Sequence, residues 1–163
     1  MIALLQRVNE AAVWVDGTRI AAIDAGILAL IAVEKEDNSE SARRLAERLI
    51  HYRLFSDESG RMSRSLTDTR GALLAVPQFT LAADTAKGLR PSFSPAAPPD
   101  LGRALFEVCV ETLRCLHPDI QSGRFGADMK VHLVNDGPVT FLLKVPPPVA
   151  EGQVAAHPSD FRT

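Results

Sequence analysis

Two short stretches hold most of the residues whose types and spacing could do chemistry. In VPQFTLAADT (76–85), Pro77 and Gln78 interrupt an apolar run at its end, a place where sites are commonly built. Gln78 can both donate and accept hydrogen bonds, and Thr80 offers a hydroxyl. A threonine needs an adjacent base to act as a nucleophile, and no histidine is nearby in the sequence. The plainer reading is a strand terminus with a polar edge. In NDGPVTF (135–141), Asn135-Asp136-Gly137 would suffice for a hairpin turn, yet Pro138 follows directly. Proline gives no N–H to a ladder and is tolerated only at edges, strand starts or bulges. This stretch is either a hairpin with a proline stop or a place where the backbone itself has a task.

Side-chain machinery of the common kinds is missing. The sequence has no phosphate-binding G-x-x-x-x-G-K-[ST], no dinucleotide G-x-G-x-x-G, no H-E-x-x-H and no C-x-x-C. No nucleophile-elbow motif supports a Ser-His-Asp triad. The four histidines, His51, His117, His132 and His157, are scattered. His51 and His117 fall near expected helix C-termini, where an imidazolium suits the dipole. His132 alternates with Val131 and Leu133, which points it outward. Cys109 and Cys115, six apart on an expected helix, read as two buried thiols rather than a bridge.

These candidates belong to a chain of 163 residues, 46% hydrophobic and 23% charged. That is enough for one domain with a sizeable core. A net charge of -2 argues against a protein that binds by blanketing phosphates with charge, but leaves room for a local basic patch. MIALLQRVNEAAVWV lacks the basic start and cleavage site of a signal peptide. No apolar run approaches the roughly 18 residues of a membrane span. A cytoplasmic protein is expected.

The elements that must position the candidates follow from periodicity. Residues 2–33 read as a β-meander: IALLQRV, AAVWV, RIAAI and ILALIAV, with Asp16-Gly17 as a hairpin turn whose positions want positive φ. From Asp37 to about Tyr52, Ala42, Leu45, Ala46, Leu49 and Ile50 form a helical stripe, and Asp37 with Glu40 fits a capping box. A polar stretch with a turn at Ser59-Gly60 leads to ALLAV (72–76), a buried strand. A long loop (84–99) precedes a second helix at about 100–116. Two strands flanking the NDGP turn finish a domain spanning 1–145. The Pro-rich remainder, 146–163, has no periodicity and is expected to be a disordered tail. The prediction is an α+β fold of about seven strands and two main helices, mostly antiparallel, with no βαβ alternation and a sheet that curls toward a barrel.

Six segments together carry a resemblance. MIALLQRV, VEKEDN, QFTLAADT with GLRPSF, and GRFGADM leading to NDGPVTF stand in the order seen in the D-aminoacyl-tRNA deacylases. The match covers residues 1 to about 145. The resemblance implies a homodimer that hydrolyses the ester between a D-amino acid, or glycine, and the terminal adenosine of tRNA, without metal or organic cofactor. It implies a pocket at the dimer interface, in which the backbone of Gln78, Phe79 and Thr80 orients the ester and polarises its carbonyl. A Gly-cis-Pro dipeptide, here Gly137-Pro138, would enter from the other subunit and reject L side chains. Arg7 would brace that dipeptide, Met129 would line the pocket, and the 2′-hydroxyl of the RNA would assist the attack. Proline suits such a bond, because cis X–Pro costs only about 0.5–1 kcal/mol over trans.

Pro77 departs from the pattern, which usually has serine there. A related group of relaxed chirality carries proline at this position, so activity on L-alanyl- or glycyl-tRNA is an alternative. Another is a non-catalytic RNA-binding module whose Lys87, Arg90 and Arg124 contact phosphates.

Overall fold

The structure is a computed structural model and describes residues 1–147. His157 and nearly all of the expected tail lie outside the described residues. Eight strands are described: β1 (Ile2–Val15), β2 (Thr18–Ile23), β3 (Gly26–Ala32), β4 (Phe55–Ser56), β5 (Met62–Arg64), β6 (Ala72–Pro77), β7 (Ile120–Ser122) and β8 (Lys130–Lys144). Three α-helices accompany them: α1 (Ser39–His51), α2 (Leu66–Thr69) and α3 (Pro99–Leu116). A 3-10 turn covers Phe79–Ala82. The α+β class and the curled sheet are as predicted. The main sheet runs β2-β1-β3-β6-β7, with β8 on β1, and β2 swings back toward β6 and β7 to nearly close a barrel.

The meander holds in outline. Asp16 and Gly17 take φ of 50° and 77°, as the Asp-Gly turn requires. However, the two runs expected before it form one 14-residue strand, bent so that Gln6 faces Leu28 of β3 while Ala12 faces Ala22 of β2. The expectation of no βαβ alternation is corrected. β3 pairs with β6 in parallel, and β6 with β7 in parallel, the latter through α3. The short apolar run around Ile120 was too brief to read as a strand.

Two further corrections concern local chemistry. The cap of α1 is Asn38, which accepts from Ser41 N, with Ser41 Oγ accepting from Asn38 N in return. Asp37 instead lies buried against the N-terminal ammonium, at 2.6 Å, and its other oxygen accepts from Glu34 N at 2.8 Å. A buried carboxylate with a charged partner outcompetes a solvent-facing cap. The cysteines also differ from expectation. Cys109 is buried among the helices, which pushes its thiol up to about 12, but Cys115 is exposed.

Packing follows the two periodicities. β6 is buried on both faces: Leu73 and Ala75 meet α1 and α3, whereas Leu74 and Val76 point into the barrel beside Val13, Ala21 and Leu28. Leu45 and Leu49 of α1 and Leu105, Cys109 and Leu113 of α3 seal the first face. This double burial holds the end of β6, and Pro77 with it, in a fixed place. No helix among the described residues is long and apolar enough to cross a membrane.

Candidate active site

β6 ends at Pro77, where the chain turns off the sheet. The amide of Gln78 still donates to Ile31 O of β3 (2.7 Å), and a single 3-10 turn follows. A 3-10 turn leaves its first amides without internal acceptors. The N–H groups of Phe79 and Thr80 have none among the described residues. Both residues are exposed, and Phe79 packs its ring on Phe93 of the long loop at 5.1 Å. The Gln78 side chain donates to Thr80 Oγ1 (2.6 Å), so the hydroxyl is engaged by an amide rather than by a base.

A cavity of about 500 Å³ opens beside this turn. Pro77, Gln78 and Phe79 form one wall, and Ile31 and Val33 lie below. Gly102 and Phe106 of α3, with Phe125, Ala127, Asp128 and Met129 of the loop before β8, form much of the remainder. Gly102 makes room here: a Cβ at that position would stand 3.3 Å from the Phe125 ring. Met129 is fixed from behind, its sulfur accepting from Arg124 N (3.4 Å). The cavity is mostly apolar with a few polar groups at its lip, the usual form of a small-ligand pocket. Among the described residues no group of three or more His, Cys, Asp or Glu could hold a metal.

The second stretch is not the hairpin expected from Asn-Asp-Gly-Pro. β8 stays antiparallel to β1 on both sides of it, with Trp14 facing Lys130 at one end and Ile2 facing Lys144 at the other. Between the pairs Val8–Asn135 and Gln6–Thr140, Arg7 alone faces Asp136 through Val139. The segment is therefore a wide bulge in one continuous strand, where proline's missing N–H disrupts least. Asn135 closes its neck: Nδ2 donates to Val139 O and Arg7 O (both 3.0 Å), and Oδ1 accepts from Val139 N (3.1 Å).

Arg7 holds the other shoulder. Its Nε donates to Asp136 O (3.1 Å) and lies 2.8 Å from Asp136 Oδ2, while Nη1 donates to Leu54 O (2.9 Å). Gly137 and Pro138, joined by a cis peptide bond, are left exposed at the crest. A Cβ on Gly137 would fall 2.0 Å from Val139 N, so only glycine fits the bulge as built.

Of the residues singled out from the sequence, Pro77, Gln78, Phe79 and Met129 meet at the cavity, with Thr80 next to it. Arg7, Gly137 and Pro138 lie together elsewhere and do not line it. Phe106 and Gly102 escaped notice, since an apolar residue on a helix reads as core until a cavity appears beside it, and Phe125 was seen only as part of the GRFGADM segment. His132 is exposed, with its ring 6.3 Å from that of Trp14, whereas His117 is buried and bonds Gly71 O (2.8 Å). Neither lines the cavity.

The comparisons with known proteins bear on this geometry. A family model described as D-Tyr-tRNA(Tyr) deacylase matches residues 4–144. The chain is 62% identical over 144 residues to the D-aminoacyl-tRNA deacylase of Teredinibacter turnerae, covering 88% of this chain and 99% of the relative. It is 63% identical over 148 residues to that of Thioalkalivibrio sulfidiphilus, covering 91% and 99%. Among solved structures, a c-Myc DNA unwinding element binding protein superimposes with a TM-score of 0.85 at 38% identity, over 90% of this chain and 99% of that one. A protein described as a probable eukaryotic D-amino acid tRNA deacylase shares the fold, with a TM-score of 0.78 at 18% identity, covering 87% and 97%. The chain belongs to the D-aminoacyl-tRNA deacylase family, hydrolases of the ester bond in aminoacyl-tRNA.

Proposed function

We propose that residues 1–145 act as one cytoplasmic deacylase domain that hydrolyses D-aminoacyl-tRNA, and mischarged glycyl-tRNA, while sparing L-esters. The observation that carries this reading is the pair of free amides at Phe79 and Thr80 on the lip of an apolar cavity. Donors fixed in advance on a rigid turn suit the oxyanion that forms when water attacks an ester carbonyl. The terminal adenosine enters the cavity, the ester carbonyl oxygen takes the two N–H groups, and the neighbouring 2′-hydroxyl assists the attacking water. The ester C–O bond breaks, releasing free tRNA and the amino acid. Gln78 holds the Thr80 side chain still and does not deprotonate it.

Chirality is judged by the crest of the bulge. Gly137 and Pro138 are braced by Arg7 and Asn135, are exposed, and do not line their own cavity, which suits insertion into the cavity of a second copy. Such a copy would also cover the outer edge of β8, which among the described residues pairs with no strand but β1 and exposes Leu133, Val134 and Leu142. An open edge with apolar side chains is an aggregation hazard unless it is covered. In the assembled site a backbone wall beside the α-carbon clashes with an L side chain and leaves room for hydrogen or a D side chain.

The test is release of tyrosine from D-tyrosyl- and L-tyrosyl-tRNA by purified protein with chelator present. D-ester hydrolysis with the L-ester spared is expected; an unchanged D-ester at high enzyme concentration would overturn the assignment. Pro77 on the cavity wall motivates the second reading, relaxed chirality. Faster turnover of L-alanyl- than of D-tyrosyl-tRNA would favour it, and binding of tRNA with no hydrolysis would favour a non-catalytic module.

A further inference from the structure

We propose that Arg103, seated on Phe125 at the cavity rim, binds the phosphate that joins the terminal adenosine to the nucleotide before it. The guanidinium of Arg103 lies 5.1 Å from the centroid of the Phe125 ring. Phe125 lines the cavity and leans on Phe106 at 6.4 Å. Gly102 leaves the space that lets this ring lie where it does. The Arg103–Phe125 contact holds the guanidinium over a ring that lines the cavity. Among the described residues no acceptor takes the Arg103 N–H groups, and a flat fork of donors matches phosphate oxygens two at a time.

Charge around the rim supports the same partner. Arg103 is exposed, and among the described residues no carboxylate lies within 4.0 Å of it. Arg124, one residue before Phe125, is likewise exposed and unpaired among those residues. Lys130 is different: Asp128 neutralises it at 3.0 Å. A chain of net charge -2 thus keeps two uncompensated guanidinium groups beside the opening of its cavity. Arginine interleaved with an aromatic ring is the pattern by which proteins hold single-stranded nucleic acid. The inference rests on the proposed occupant of the cavity, a terminal adenosine, whose 5′ phosphate is the first anion outside it.

The experiment separates the inference from that reading. Wild-type protein, Arg103→Ala and Arg103→Lys are assayed on D-tyrosyl-tRNA and on the D-tyrosyl ester of adenosine, which lacks the phosphate. Arg103→Ala should lower kcat/KM on the tRNA about tenfold, through KM, and leave the nucleoside ester unchanged, with Arg103→Lys intermediate. An equal loss on both substrates would make Arg103 a mere support for Phe125, and no loss on either would remove it from binding; both results overturn the proposal. Failure of wild-type protein on both substrates would sink the deacylase reading instead. In that case binding of a labelled cytidine-cytidine-adenosine trinucleotide decides the matter. Its log–log salt slope should fall by about 0.7 in Arg103→Ala, and an unchanged slope would overturn the proposal.

Discussion

At the residue scale, the proposed site needs no catalytic side chain. Thr80 has the type of a nucleophile and the geometry of a bystander, since its hydroxyl accepts from Gln78 at 2.6 Å and meets no base. Thr80→Ala should therefore keep kcat within about tenfold of wild type on D-tyrosyl-tRNA, a loss of no more than ~1.4 kcal/mol in transition-state stabilisation. Gly137→Ala acts elsewhere. A Cβ 2.0 Å from Val139 N must displace the crest, so the ratio of D- to L-ester hydrolysis should fall at least tenfold while the folded stability of the core is little changed. Paired D and L rate measurements check both variants. The residues of this site were legible by type and position, but their mode of action was not. Backbone amides carry no sequence signature, so composition left Gln78 and Thr80 looking like a polar strand end. The resemblance, not the residue types, pointed to the backbone.

At the scale of elements, the bulge in β8 shows where pattern reading stops. Asn-Asp-Gly reads as a turn between two strands because each half alternates well enough alone. Nothing local says that both halves pair with the same strand in the same direction. That information resides in β1, whose unbroken 14 residues supply the template. The turn between β4 and β5, by contrast, was readable from Ser59-Gly60, though the two short strands were not, and Gly60 has the positive φ such a turn requires. Its carboxylate makes a testable point. Hydrogen bonds from Ser59, then Ser63, hold Asp57 down from its ordinary 3.8 to about 2. A lowered folded value means that the group supports the hairpin above pH 3.8 and loses that support as pH falls through about 2. An NMR titration of the Asp57 carboxyl should find a midpoint near 2. Ser63→Ala should move that midpoint upward, and no movement would exclude the Ser63 hydroxyl as a cause.

At the scale of the molecule, the core was visible as alternation in β6 and as stripes on α1 and α3, whereas the closure between the two ends of the described chain was not. The Met1 ammonium is fully buried, bonded to Asp37 and to Val145 O at 2.7 Å. Asp37→Asn leaves that ammonium without its nearest counter-charge and should cost about 3 kcal/mol in urea unfolding. A loss below about 1 kcal/mol would show that Glu34, at 3.7 Å, substitutes for it. The sequence assigned Asp37 to a helix cap because capping is local and the ion pair joins residues 36 apart.

The largest feature of the account, a site completed by a second copy, is also the easiest to contradict. Pro138→Cys and Ala127→Cys are placed on separate chains, each with Cys115→Ser to remove the exposed thiol; buried Cys109, its thiol pushed up to about 12, stays unreactive. The two chains are co-expressed and treated with a short bismaleimide. A covalent dimer should form from the mixture and from neither variant alone. No dimer from the mixture, together with a crosslink inside one chain when both cysteines are placed on it, would mean that the crest serves its own cavity and would contradict the two-chain site.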